Sequence, residues 1–144
     1  MESDLREKVV LITGASGGIG SATARACAGE GARLVLHAHR QRAQADALAR
    51  ELAGTESLVV AGDLRRPSEV ARVFAVAVRR FGRVDTLVAN AGAWETRDVP
   101  LEAMSLARWN RTFATVATPA FLCLREFFQG RWLWHPAEID VAVA

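Results

Sequence analysis

The stretch TGASGGIG (Thr13–Gly20) holds the residue types that point most directly to chemistry. Glycines allow tight turns and a close approach of the backbone to a phosphate group. The stretch follows the apolar run KVVLIT and precedes a predicted helix from about Gly18 to Gly29. The first N–H groups and the positive dipole end of that helix would face an anion. This strand–loop–helix setting predicts a pyrophosphate site, and the alternative is a structural turn without a ligand.

Apolar and helix-forming stretches alternate along the following residues. RLVLHA (33–38), SLVVAGD (57–63) and VDTLVANAG (84–92) predict three further strands, the last with its exit loop. QRAQADALARELAG has the composition of a helix, and Pro67 stands just inside another helix that runs to about Phe81. Continuously apolar strands alternating with helices predict an α/β fold, a Rossmann-type doubly wound parallel sheet.

The C-terminal part of the sequence predicts a long helical region and one or two strands. The helical region runs from Leu101 to Gln129 and is interrupted near Pro119. RWLW, after Gly130, predicts a fifth strand. IDVAVA, at the end of the sequence, is either another strand or a loose end. The sheet would therefore contain about five strands.

Composition and charge exclude several classes of function. The net charge of +2 is too small to indicate binding to nucleic acid or to a membrane surface. No segment approaches the ~20 apolar residues of a membrane span, and the charged N-terminus is unlike a secretory signal. Cys27 and Cys123 predict buried reduced thiols, and neither they nor His37 and His39 form a metal pattern. These features predict a cytoplasmic protein without a metal.

Several motifs in combination resemble the short-chain dehydrogenase/reductase family. Its TGxxxGxG loop is matched by Thr13, Gly14, Gly18 and Gly20. AGDL, ANAG (with Ala89 in place of the family's first Asn), RWNRTF and FLCLREFF resemble later motifs of the family. The resemblance covers about residues 8–137. It implies a single dinucleotide-binding domain over residues 1–144, truncated and incomplete relative to the family.

The resemblance also implies which residues would contact the dinucleotide. They come from the glycine loop and from the ends of the second, third and fourth strands: Thr13, Gly14, Ser16, Gly18, Ile19, Gly20, Arg40, Asp63, Leu64, Asn90, Ala91 and Gly92. Asp63 would contact the adenine ring, or else would serve as a turn or cap carboxylate. Asn90 would tie its loop to neighbouring backbone, which in the family coexists with proximity to the cofactor.

The end of the second strand favours NADP(H) over NAD(H). An acid there accepts hydrogen bonds from the ribose 2′-hydroxyl, whereas an arginine accommodates a 2′-phosphate. Ala38 falls where NAD-preferring relatives carry Asp, and Arg40 is the first choice for the phosphate contact. One observation opposes this assignment: Gly17 occupies a position that is often basic in NADP-preferring relatives. The alternative for Arg40 is a solvated cation at the start of a helix.

The family's catalytic residues are substituted or missing in this sequence. Val116 falls at the position of the family's Asn, and Ala137 falls at the position of its Ser. The sequence contains no tyrosine, and the family's Tyr and Lys would lie beyond residue 144. His135, near Glu138, is a weak candidate for a replacement proton donor, because a single histidine beside a proline is more often structural or exposed. Trp94 could stack on a nicotinamide or a substrate, but packing is its commoner use.

Four hypotheses follow about function. The first is a family member that binds NADP(H) but is not an autonomous reductase. The second is a non-redox enzyme, such as a cyclase or isomerase, on the same scaffold. The third is an interaction partner, a homo-oligomer or complement of another chain, with an apolar contact surface within residues 105–135. The fourth is a gene fragment or frameshift product.

Overall fold

The computed structural model describes residues 4–93, 97–131 and 140–143. These residues form a parallel sheet with strand order β3-β2-β1-β4-β5. The strands are β1 (Val9–Ile12), β2 (Arg33–Ala38), β3 (Ser57–Ala61), β4 (Thr86–Ala89) and β5 (Asp140–Val143). The helices are α1 (Gly18–Gly29), α2 (Arg42–Glu51), α3 (Pro67–Phe81), α4 (Leu106–Thr115) and α5 (Ala117–Arg131), with a 3₁₀ turn at Leu101–Ala103. The predicted doubly wound α/β fold is confirmed.

Helices cover both faces of the sheet, as the continuously apolar strands predicted. Val9 and Leu11 of β1 pack into a core with side chains of α3 and α5. Val10 and Ile12, which alternate with them, pack into a second core with side chains of α1 and α2. Successive side chains of a strand point to opposite faces, so β1 contributes to both cores. All four residues of β1 are completely buried.

The predicted helix boundaries agree with the structure where glycine or proline sets them. The first helix begins at Gly18 and ends at Gly29. Pro67 occupies the first turn of α3, where its missing N–H is not needed. Gly82 ends α3 in the left-handed conformation, with φ of 81°. Within the described ranges, no helix combines the length and the apolar character that crossing a membrane requires.

The predicted interruption of the C-terminal helical region is confirmed, but it lies at Val116. The helices α4 and α5 are separated by this one residue, and Pro119 lies in the first turn of α5. Proline lacks the N–H that would bond the carbonyl of Thr115, and its ring collides with that carbonyl in a continuous helix. Pro119 therefore breaks the helix three residues before its own position.

The prediction of a fifth strand at RWLW is wrong for its first residue, Arg131. Gly130 and Arg131 belong to α5 rather than to a strand, and residues 132–139 lie outside the described residues. The fifth strand of the described chain is Asp140–Val143, within the segment IDVAVA. It pairs in parallel with β4, with Thr86 opposite Asp140 and Ala89 opposite Val143. The segment that pairs with the edge of β4 is therefore part of IDVAVA.

Candidate functional site

A groove of about 420 Å³ lies at the carboxyl edge of the sheet. The order β3-β2-β1-β4-β5 places the topological switch between β1 and β4, where open α/β sheets bind ligands. The groove is lined by segments that follow β1, β2, β3 and β4. It brings together seven of the residues predicted from the sequence: Gly14, Ser16, Arg40, Asp63, Leu64, Ala91 and Gly92.

Three glycines of the loop have different steric surroundings. Gly14 has φ of +67°, and a Cβ atom there would lie 3.0 Å from the Cα of Ala91. A Cβ atom on Gly20 would lie only 2.3 Å from the carbonyl oxygen of Gly14. Gly18 has no atom within 4 Å of the position of a Cβ. Gly14 and Gly20 are therefore required by the folding of the loop, whereas Gly18 leaves space beside the first turn of α1.

Thr13 and Asn90 join the glycine loop to the end of β4. The Thr13 Oγ1 accepts hydrogen bonds from the backbone N–H groups of Asn90 and Ala91, both at 2.9 Å. It also donates to the carbonyl of Val88, at 3.2 Å. The Asn90 Nδ2 donates to the carbonyls of Thr13, at 2.9 Å, and Gly14, at 3.3 Å. Asn90 thus ties its loop to neighbouring backbone, as expected, and the buried Thr13 side chain holds the glycine loop against the end of β4.

His37 connects the glycine loop to the segment that follows β3. Its Nδ1 accepts a hydrogen bond from the N–H of Gly14, at 3.3 Å, and its Nε2 lies 3.0 Å from the carbonyl oxygen of Gly62. These partners require a neutral ring with the proton on Nε2. The side chain is completely buried, and burial lowers the pKa of His37 from its ordinary value of 6.5. Its two ring nitrogens are occupied by backbone partners.

The buried His37 predicts a loss of stability in mild acid. Because its pKa is lower in the folded chain than in the unfolded chain, the unfolded chain binds the proton more readily. The contribution of neutral His37 is complete above pH 6.5 and is lost as the pH falls below that value. We expect the free energy of unfolding to decrease between pH 7 and pH 5, by at most about 1.4 kcal/mol per pH unit from this group. Urea unfolding at several pH values measures it.

His39 offers a matched control for this prediction. It is an exposed histidine two residues beyond His37. The variant His39→Gln should retain the decrease between pH 7 and pH 5, whereas His37→Gln should show a flatter dependence at a lower overall stability. An equal pH dependence in wild type and His37→Gln would contradict the assignment to His37.

Asp63 and Arg65 form a two-pronged ion pair on the wall of the groove. The Arg65 Nε lies 2.8 Å from Asp63 Oδ1, and the second guanidinium nitrogen lies 2.7 Å from Oδ2. The backbone N–H of Arg65 also donates to Oδ1, at 3.1 Å. The side-chain hydrogen bonds from Arg65 hold the pKa of Asp63 well below its usual range. Asp63 is therefore an ionised carboxylate that can only accept hydrogen bonds.

The rim beside Asp63 is formed by the segment that follows β2. His39, Arg40 and Gln41 all line the groove, and Arg40 is exposed. Within residues 4–93, 97–131 and 140–143, no carboxylate makes an ion pair with Arg40. The next arginine, Arg42, instead lies 3.7 Å from Asp46 of the same helix. Arg40 is thus the cation of this segment that is available to an anion in the groove.

The opposite end of the groove is bordered by the helix break. Thr115 and Pro119 line it together with Ala91, Gly92 and Ala93. Val116 lies close by, since a Cβ on Gly92 would be 3.5 Å from its Cγ2. None of the described side chains that line this end is an acid, a histidine or a lysine. The predicted residues His135 and Ala137, and also Glu138 and Trp94, lie outside the described residues.

Five predicted contact residues lie beside or beneath the groove instead of lining it. Thr13 is buried under the loop, and Asn90 is half-buried against it. Gly18 and Ile19 lie in the first turn of α1, where the Ile19 side chain is 66% exposed. Gly20 is packed against the loop. Ile19 is therefore an apolar side chain that is accessible at the start of the helix.

Sequence reasoning missed several residues of the groove. His37 was considered only as one of a pair of histidines for a metal, although a polar residue within a buried strand indicates that it needs internal partners. Arg65 is not among the residues predicted for the site, although an aspartate two residues earlier is a signal for local pairing. Thr115 and Pro119 reach the groove only through the packing of α4 and α5, which no local pattern indicates.

Comparison with known families gives a match over most of the chain. The short chain dehydrogenase family matches residues 8–131. The 3-oxoacyl-[acyl-carrier-protein] reductase of Synechocystis sp. is 37% identical over 123 residues, which are 84% of this chain and 49% of that protein. The cis-4-hydroxycyclohexanecarboxylate dehydrogenase of Sinomonas cyclohexanicum is 38% identical over 117 residues, covering 81% and 47%. The chain thus spans about half the length of these curated relatives.

Solved structures show the same similarity. The 3-ketoacyl-(acyl-carrier-protein) reductase from Brucella melitensis, solved in complex with NADH, superposes with a TM-score of 0.79 at 32% identity. The superposition covers 88% of this chain and 51% of that protein. A short-chain dehydrogenase/reductase of the glucose/ribitol dehydrogenase type from the same organism also gives a TM-score of 0.79, at 30% identity over 90% of this chain and 54% of its own.

Proposed function

Because the chain belongs to the short-chain dehydrogenase family, we propose that it binds a nicotinamide dinucleotide in the groove, with a preference for NADP(H). Its pyrophosphate would lie at the glycine loop, its adenosine beside Asp63 and its nicotinamide towards Gly92 and Thr115. The bound nicotinamide would supply hydride chemistry. The chain itself would bind and orient the dinucleotide without acting as an autonomous carbonyl reductase.

The first turn of α1 is the observation that carries the proposal. Gly17, at its N-cap, provides no capping side chain, and the first turn contains no acid. Free N–H groups and the positive end of the helix dipole favour an anion at such a terminus. Gly18 leaves open space at the same turn, while Gly14 and Gly20 shape the loop beneath it. These features fit a phosphate group.

Arg40 supports the preference for NADP(H). It lies at the rim of the groove. Ala38, which ends β2, and the residues after it, His39, Arg40 and Gln41, include no acid that would bind the 2′-hydroxyl and repel a 2′-phosphate. We expect Arg40→Ala to weaken NADPH binding about tenfold or more, the loss of about one charge-assisted contact, while NADH binding changes less than about twofold. Calorimetric titration with both nucleotides measures this selectivity.

Arg42→Ala is the matched control, because Arg42 has the same charge but lies against Asp46. It should leave the ratio of the two affinities unchanged. Equal losses for NADPH and NADH in Arg40→Ala would contradict the preference, and no binding of either nucleotide by the wild type would refute the proposed function as a whole.

The proposal that the chain does not reduce carbonyl substrates by itself rests on the residues at the proposed nicotinamide end of the groove. Val116 stands at the position of the family's Asn, and the sequence contains no tyrosine to act as the family's proton donor. A carbonyl oxygen that receives a hydride needs a positioned proton donor. When NADPH and a carbonyl substrate are added to the 144-residue chain, the absorbance of NADPH should therefore not decrease. Sustained oxidation would refute this part.

A second candidate function is association through the exposed apolar surface of α4 and α5. Leu106, Trp109 and Phe113 of α4 are 73%, 48% and 49% exposed, and Phe121 of α5 is 59% exposed. The ring centroids of Trp109 and Phe113 lie 4.6 Å apart, so these two exposed side chains are in contact. Apolar surface of this kind commonly marks a protein contact. We expect light scattering to show a self-associated chain, and Trp109→Lys to reduce its mass; a monomeric wild type would contradict it.

A further inference from the structure

The ion pair between Asp63 and Arg65 leaves a specific set of hydrogen-bonding sites for a ligand. A carboxylate has about four acceptor sites, two on each oxygen. Oδ1 accepts from the backbone N–H and the Nε of Arg65, at 3.1 Å and 2.8 Å. Oδ2 accepts once from the guanidinium, at 2.7 Å. The site that remains on Oδ2 is therefore the acceptor available to a group in the groove.

Arg65 also determines the chemical state and orientation of that acceptor. Its fork of two N–H groups matches the two carboxylate oxygens and thereby fixes the rotation of the Asp63 side chain. The hydrogen bonds from Arg65 hold the pKa of Asp63 low, so the carboxylate does not donate a proton to a ligand. Both residues line the groove, and the Asp63 side chain is 21% exposed.

We propose that Arg65 is a positioning residue for base recognition, which holds Asp63 so that Oδ2 accepts a hydrogen bond from the exocyclic amino group of a purine. This inference rests on the proposed function, and it extends that function from the adenine contact to the residue that makes the contact selective. If the base carried an oxygen in place of the amino group, that oxygen and Asp63 Oδ2 would both be acceptors, and no hydrogen bond would form between them. A site that depends on one polar contact rejects the analogue that cannot make it.

The experiment compares NADP⁺ with its hypoxanthine analogue, in which the adenine amino group is replaced by oxygen. Calorimetric titration of the wild type should give at least about tenfold tighter binding of NADP⁺, the loss of one hydrogen bond to a charged group. In Arg65→Gln the ratio of the two affinities should fall below about threefold. Arg65→Lys keeps the charge but not the fork, and its ratio should lie between those of wild type and Arg65→Gln.

Arg66→Gln is the control, because it removes the same charge at the adjacent position, which does not line the groove. It should retain the wild-type ratio. Arg65 is exposed, and circular dichroism checks that its variants fold; if Arg65→Gln does not, the ratio in Arg65→Lys decides. An unchanged ratio in a folded Arg65 variant overturns the inference while the proposed function stands. Failure of the wild type to bind NADP⁺ overturns both.

Discussion

Replacing Gly20 by alanine is expected to lower the free energy of unfolding by about 1–3 kcal/mol, the usual cost of overpacking. The new methyl group would lie 2.3 Å from the Gly14 carbonyl oxygen and 2.9 Å from the Ala15 Cα. Both are backbone atoms, so the loop itself must shift. Because that loop would hold the pyrophosphate, we also expect nucleotide binding to be lost. Urea unfolding and calorimetric titration measure the two effects separately.

Gly18 and Gly29 provide matched controls on the same helix. A Cβ atom at either position meets nothing within 4 Å. Alanine generally stabilises a helix relative to glycine, by up to about 1 kcal/mol, so neither Gly18→Ala nor Gly29→Ala should reduce stability. Gly18→Ala should still weaken nucleotide binding, because the methyl group occupies the space left beside the first turn of α1. Equal stability of Gly20→Ala and Gly18→Ala would contradict the described loop geometry.

Replacing Thr13 by valine is expected to cost about 1–3 kcal/mol of folding free energy, the penalty when a partly buried N–H loses its partner. The N–H of Ala91 donates to the Thr13 hydroxyl at 2.9 Å and would lose that acceptor. The N–H of Asn90 also approaches the carbonyl of Val88, at 3.0 Å, and would keep that partner. The expected loss is therefore that of one orphaned group. Chemical denaturation at neutral pH measures it.

Two variants serve as controls. One removes only the methyl group of Thr13, and the other removes the hydroxyl of an exposed threonine elsewhere. Thr13→Ser keeps the acceptor and should lose less stability than Thr13→Val, namely the ~0.8 kcal/mol that one buried methyl group contributes. Thr23→Val removes an exposed hydroxyl that bonds only within its own helix, to the Ile19 carbonyl at 2.9 Å, and should change stability by less than about 0.5 kcal/mol. If Thr13→Ser destabilised as much as Thr13→Val, the role assigned to the hydroxyl would be wrong.

The boundaries of α1 and α3 were predictable because their signals act over a few residues. Glycines surround the start and end of α1, and Pro67 and Gly82 mark the ends of α3. Proline at a first turn and glycine in the left-handed conformation are constraints of the backbone itself. Such constraints hold whatever the rest of the chain does. The alternation of these helices with apolar strands was then enough to indicate the α/β class.

The fifth strand was not predictable from local pattern alone. RWLW and IDVAVA are both short apolar segments, and each is compatible with a buried strand. The first begins within α5, and the second supplies the residues that pair with Thr86–Ala89. The helix break was likewise displaced, because Pro119 acts on the carbonyl four residues earlier rather than at its own position. The assignments of Ala137 and His135 stay predictions.

The sequence by itself determined the glycine loop, its place between β1 and α1 and the family, because these depend on residue types at close spacing. Only the tertiary structure decided how the loop is held. His37 reaches Gly14 and Gly62, which lie 23 and 25 residues away, and Thr13 reaches Asn90, 77 residues away. Such hydrogen bonds depend on the order and register of the strands, which arise from the packing of the whole sheet and which no short pattern of residues encodes.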